Sequence, residues 1–294
     1  MHKNSSLVLL VASNNNQMFM NNRCNFSPLR KSFRHFILCL GLFASLISGT
    51  ALAAQAGGNS KLLRIAYVEF PPLTYRSPQG EPAGIFINIT RRLVEQAGYV
   101  PEFVYLPTSR AYLYLKNGEI DVWPGMTNIP SLKGQILESW ASPFSFFLCA
   151  WSLSNNEPLT HFDELKGKTV IVISGYTYNG LLGWLKAAEG IRVTEAPNHR
   201  AAVEMLKLKR GDYLLDYRSP VRDILSEEEK QLFTEVHVRR RSGAWLFSLA
   251  NPRAAILREV FDDAYMQLFE QGVVPPVQDK SPGPVMPGFP EQFL

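Results

Sequence analysis

From Leu62 onward the chain alternates between short apolar stretches and amphipathic helical ones, and this alternation leaves few folds open to it. LLRIAYVEF (62–70) is apolar and β-branched enough for a buried strand. FPPLTYRSPQGEPAG (70–84) is rich in turn formers. In NITRRLVEQAG (88–98), Ile89, Leu93, Val94 and Ala97 share one helical face and Gly98 supplies the stop. EFVYLP predicts a second strand and IDVWP a third. Between them lies the helix RAYLYLKN, which Ser109 can cap and Gly118 can end. Strand–helix–strand order at this spacing means βαβ units and a parallel sheet.

A second unit begins near Leu159. TVIVIS (169–174) predicts a buried strand, and GYTYNGLLGWLKAAEG (175–190) a glycine-led turn into a helix. IRVTEA, the helix HRAAVEMLKLKRG and the strand DYLLDY follow, then AWLFSLA as another strand. The longest helix, AAILREVFDDAYMQLFEQG, carries the stripe Ile256, Leu257, Val260, Phe261, Ala264 and Leu268. Residues 275–294 hold prolines at 275, 276, 282, 284, 287 and 290, which rules out a regular element and predicts a loose tail.

The chain has 294 residues and a formal net charge of +4. Before Ala54 it holds Lys3, Arg23, Arg30, Lys31 and Arg34 and no acidic residue, so the positive balance belongs to that leading segment. The remainder is close to neutral, and nothing in it argues for nucleic acid. LRKSFRH followed by the apolar run FILCLGLFASLISG and by ALAAQA has the layout of an export signal cleaved after Ala53. The run is shorter than the ~20 residues of a spanning helix. Residues 1–53 are therefore expected to be an N-terminal extension and signal peptide, and the mature protein periplasmic. Cys24 and Cys39 would leave with that segment, and Cys149 in FFLCAW is expected to be buried as a small hydrophobe. The histidines have no ligand-like spacing, so no metal and no cofactor is expected.

Five stretches in order resemble the periplasmic solute-binding proteins of the polar amino-acid type, family 3. They are LRIAYVEFPPLTY with GEPAGIFINI, LKNGEIDVWPGMT, ESWASPF, FDELKGKTVIVISGYTY and KRGDYLLDY. The resemblance runs from about Leu62 to Val273. It implies an α/β, two-lobed, periplasmic-binding-protein type II-like fold, each lobe a mainly parallel sheet with flanking helices, joined by two crossing hinge strands. Lobe one is expected at residues 61–147 plus 243–274, and lobe two at 148–242. It further implies a monomer that captures a small polar solute, amino-acid-like or amine, by lobe closure, for an inner-membrane ABC permease or a sensor. The alternative is a periplasmic enzyme on the same fold, of the cyclohexadienyl dehydratase type, in which Glu69 and Asp216 would pair as acid and base.

In open parallel sheets, ligands sit outside the carboxyl ends of the strands. The candidate lips lie there. Phe70 falls where the family stacks an aromatic on the ligand; core packing is the other reading. Tyr75 and Trp123 can add apolar wall, although Trp123 equally suits the core. Gly125 and Thr127 match a turn offering backbone and hydroxyl hydrogen bonds. Ser174, Gly175, Tyr176 and Thr177 precede a helix, whose free N–H groups would suit a carboxylate. Asp216 falls on the family's acidic position that grips an ammonium group, and a carboxylate ending an apolar strand is costly to bury without a partner. Arg110 stands in the first turn of a helix, either in solvent or aimed into the cleft at an anion. The family's carboxylate-clamping arginine would fall at Leu132, with Lys133 beside it, so common α-amino acids are expected to bind poorly.

Overall fold

The computed structural model describes residues 61–281 and 283–293. The expected signal segment, residues 1–53, lies outside them. β1 (Leu62–Tyr67) is buried on both faces from Leu63 onward, as the apolar run requires. Its crossover helix α1 (Ile85–Gln96) buries Phe86, Ile89, Leu93 and Val94. The helix starts at Gly84, with φ 117°, where a Cβ would stand 2.3 Å from the Leu73 carbonyl oxygen. Only glycine fits that approach. β4 (Val100–Tyr105) pairs parallel with β1, and β5 (Val122–Met126) lies on its other side. The short strands β2 (Tyr75–Arg76) and β3 (Pro82–Ala83) form a hairpin apart from this sheet.

Helix α2 (Thr108–Asn117) connects β4 to β5 and ends on Gly118 in the left-handed conformation, as expected. Its start differs from expectation. Pro107 holds the cap position, and Ser109 lies inside the first turn without capping it. The proline at that position already fixes the entry angle and leaves no room for a preceding side-chain cap.

The strands β6 (Ile136–Glu138), β7 (Phe144–Leu153), β8 (Thr169–Ile173), β9 (Arg192–Ala196), β10 (Tyr213–Tyr217) and β11 (Phe233–Ser248) complete one sheet. Its order is β4-β1-β5-β11-β7-β10-β8-β9, with β6 on β11. β7 and β11 are long and antiparallel, from Phe233 opposite Leu153 to Gly243 opposite Phe144. They run between a half built on β4-β1-β5 and a half built on β10-β8-β9. The second half carries α3 (Leu181–Ala187), α4 (His199–Lys207), α5 (Arg218–Ile224) and the short α6 (Glu227–Lys230). α7 (Ala254–Glu270) returns to the first half through Leu257, Phe261, Ala264, Tyr265 and Leu268. Ile256, expected in its stripe, is 56% exposed, and Tyr265 takes the inward place. Cys149 is buried as expected; burial and the nearby Glu235 carboxylate raise its thiol pKa.

The C-terminal segment is not loose. Gln278 N–H donates to the Ser142 carbonyl (2.8 Å), Lys280 Nζ to that of Ser139 (2.7 Å), and Met286 N–H to that of Val238 (2.9 Å). Phe162 N–H donates in turn to the Pro287 carbonyl at 2.8 Å, and Phe289 packs on Phe162 with ring centres 5.1 Å apart. The prolines exclude helix and strand, but not docking. Each still offers a carbonyl acceptor, and Met286 and Phe289 supply buried apolar surface. Among the described residues, no helix is long and apolar enough to cross a membrane.

Candidate functional site

The loop after β1 carries Phe70 between the two halves. Phe70 N–H donates to the Thr74 carbonyl (2.7 Å) and Thr74 N–H returns to that of Phe70 (3.0 Å), so the loop is closed on itself. The ring is buried. It lies parallel to Tyr176 (centroids 6.4 Å, planes 11° apart) and tilted against Tyr217 (5.2 Å) and Phe146 (5.1 Å). Tyr178 stacks on Tyr217 at 5.9 Å, and Tyr112 packs tilted against Trp123 at 5.2 Å. These rings come from the carboxyl ends of β1, β5, β8 and β10 and from α2, the end of the sheet where ligands are expected.

One hydrogen bond found among the described residues crosses between the halves at the rings: Tyr176 Oη donates to the Glu69 carbonyl at 2.5 Å, while Tyr112 and Thr177 face each other across the same cavity. Burial raises the Tyr112 phenol to about 12, so it is a neutral group. Within the ring cluster a cavity of about 30 Å³ remains, bounded by Phe70, Tyr112, Trp123, Tyr176 and Tyr217 among others. That is roughly the space of one water. The cleft is closed. No charged side chain lines the cavity, and the buried indole Nε1 of Trp123 has no protein acceptor.

Asp216 is fully buried at the end of β10. Its Oδ2 lies 2.7 Å from His199 Nδ1, and its Oδ1 accepts from Tyr217 N–H at 2.7 Å. His199 Nε2 lies 3.2 Å from Tyr176 Oη, so Asp216, His199 and Tyr176 form one chain. Both oxygens of Asp216 thus have protein partners, and Asp216 does not line the ring cavity where an ammonium grip was expected. Its partner, His199, was not among the expected site residues. The signal was present: a carboxylate ending an apolar strand requires a donor, and His199 opens the helix packed against that strand.

Other expected residues fare differently. Thr127 is buried, but its hydroxyl donates to the Ser242 carbonyl at 3.2 Å and is not offered to the cleft. Gly125 is there for packing: a Cβ would stand 2.6 Å from the Trp123 ring. Tyr75 is half-buried on β2 and does not line the cavity. Arg110 is exposed on α2, while Thr108 and Tyr112 of the same helix line the cavity. Two residues either side of them on a helix points it away, so the solvent reading holds.

The turn at Ser174–Thr177 does not open a helix. A 3₁₀ turn with Tyr178 at φ 48° and Asn179 at φ 58° intervenes, and α3 starts at Leu181. Tyr178 turns its hydroxyl back to accept from Ile173 N–H at 2.8 Å. Ser174 and Gly175 are exposed. The turn therefore lacks the α-helix N-terminus on which the expected carboxylate cradle rested; Tyr176 reaches the Glu69 carbonyl through its hydroxyl, and Thr177 lines the cavity. Glu69 and Asp216 do not pair: the Glu69 carboxylate accepts from Arg76 N–H and Tyr105 Oη. Leu132 is fully buried.

A sheet in two halves, threaded by two long antiparallel strands and closed over a cluster of rings, matches the fold of solute-binding proteins. The model of the family "Bacterial extracellular solute-binding proteins, family 3" matches residues 63–140, and over that stretch the chain is similar to the family. Among solved structures it is similar to an ancestral arginine-binding protein bound to arginine, at 21% identity and a TM-score of 0.61, over 72% of this chain and 94% of that one. A histidine kinase sensor domain with similarity to periplasmic binding proteins matches at 19% identity and 0.61, over 72% and 91%. A substrate-binding protein of an ABC uptake transporter from Streptococcus pneumoniae, with bound histidine, matches at 16% and 0.61, over 72% and 89%. At such identities the likeness shows the fold. No curated protein matches the chain.

Proposed function

We propose that the exported protein captures a small solute between two lobes, residues 61–147 with 243–274 and residues 148–242, and presents it to an ABC permease or a membrane sensor. The observation that carries this reading is the cluster of rings drawn from both halves and tied by the Tyr176–Glu69 hydrogen bond. Contacts made only on closure let a ligand shift the open–closed equilibrium.

The wall chemistry narrows the solute. Asp216 is spent on His199, Leu132 is core, and no charged side chain faces the cavity. An α-amino acid would find no clamp for either end. Ring faces favour an organic amine, held by cation–π attraction worth about 0.5–2 kcal/mol per ring. A thermal-shift screen of amines and polyamines against the common amino acids and organic acids tests this. Amines should stabilise most, and Phe70→Ala should weaken the best of them by about 2- to 30-fold. Preference for an ordinary amino acid, or unchanged affinity in Phe70→Ala, would contradict the assignment.

The runner-up is a dehydratase-type enzyme. The Asp216–His199–Tyr176 chain has the connectivity that proton transfer uses. Product formation from a cyclic carboxylic acid, lost in His199→Gln, would move the function to that reading.

A further inference from the structure

β11 carries Arg239, Arg240 and Arg241 in succession, just before the strand begins to pair with β5 at Gly243. Along this part the strand's outer edge is bordered by the C-terminal segment, which joins it through Met286 N–H and the Val238 carbonyl. Between edge and segment lies a cavity of about 410 Å³. Arg239, Arg240, Arg241 and Lys280 line it together with Ser242 and Ser281, and no acidic side chain does. Its volume falls in the range of small-molecule pockets, roughly 300–1,000 Å³.

Among the described residues the cations that hydrogen-bond do so to neutral acceptors, and carboxylates act on them only at longer range: Asp279 on Arg240, Glu138 on Arg241, and Glu138 and Asp262 on Lys280. Arg241 donates to the carbonyls of Thr127 (3.2 Å), Asn128 (2.7 Å) and Phe293 (3.2 Å). Arg240 donates to the Ser281 carbonyl, while its Nε is buried with no acceptor. Lys280 donates to the Ser139 carbonyl at 2.7 Å. Arg239 lies over the Phe289 ring, 5.6 Å from its centre, and takes no acceptor among the described residues. None of the four forms an ion pair among the described residues, although carboxylates pair with basic side chains elsewhere in the fold. Burial and the adjacent Arg241 lower Arg239 to about 10, and burial lowers Lys280. Three adjacent half-buried guanidinium groups with no carboxylate in direct contact among the described residues are costly to hold.

We propose that this cavity is a binding site for a small multivalent oxyanion, carrying phosphate or carboxylate groups, separate from the aromatic cleft. Guanidinium groups meet both anions with paired N–H donors, and the serine hydroxyls complete a polar wall. Because Arg241 also holds the Thr127–Asn128 turn and Lys280 belongs to the C-terminal segment, the anion fastens that segment to the edge of the cleft.

Calorimetry at constant ionic strength, with inorganic pyrophosphate in one arm, citrate in the other and chloride as the balance, tests the site. One pyrophosphate or citrate should bind per chain, saturably, and the preferred arm identifies phosphate or carboxylate as the natural group. Arg239→Gln should weaken binding by at least about tenfold, while Arg239→Lys keeps it within a few-fold. Arg239 makes no hydrogen bond among the described residues, so Arg239→Gln gives up only its contact over the Phe289 ring and should still fold in anion-free buffer, as circular dichroism would show. Absence of saturable binding in both arms, or wild-type affinity in a folded Arg239→Gln, would each overturn the proposal.

Discussion

Replacing His199 by leucine should lower the unfolding free energy by about 3–5 kcal/mol, the cost of breaking a buried pair from one side. Asp216 is fully buried, and His199 Nδ1, at 2.7 Å, is its main side-chain partner. Leucine fills similar volume but leaves the carboxylate with only the Tyr217 amide. Removing both partners, in a His199→Leu, Asp216→Leu variant, should cost less than the single change, because no charge is stranded. Urea unfolding with linear extrapolation measures both. A single variant as stable as wild type would mean that Asp216 is not held as described. The comparison also matters for binding experiments: Asp216→Ala, an obvious probe of ligand contact, is expected to fail through stability first.

Phe289→Ala should cost about 3–5 kcal/mol, the range for emptying a buried aromatic site. Phe289 is 7% exposed, packs on Phe162 and lies beneath Arg239. A dangling tail would tolerate the change within about 0.5 kcal/mol. Equilibrium unfolding of the variant separates the two pictures, and a near-silent result would contradict the docking of residues 275–293.

The proline-rich end shows where sequence reading stops. Proline density correctly excludes regular structure, but it carries no information on whether carbonyls and isolated apolar side chains find partners in another part of the chain. The parallel core was legible because periodicity reports burial directly: LLRIAY, TVIVI and YLLDY are all strands. The first part of β11, FTEVHVRRR, was not. Its burial alternates weakly and its charges mimic a loop, since one edge faces the arginine cavity rather than a strand. At the candidate site, Phe70, Tyr176 and Thr177, expected from the resemblance and from their place after strands, do line the ring cavity. Arg110 was undecided because a helix register off by one residue turns a side chain by about 100°. Thr127 and Asp216 were placed correctly but their partners, Ser242 and His199, come from distant elements. Hydrogen-bond pairing over such separations leaves no local pattern to read.

The central claim is that the two halves close on a solute at the ring cluster. Small-angle scattering of the protein, free and saturated with the most stabilising ligand from the amine screen, tests it most directly. The account predicts a more open free form and a smaller radius of gyration on saturation, with a bound profile that matches the closed structure described here. An identical profile in both states, with binding verified by calorimetry in the same samples, would contradict it.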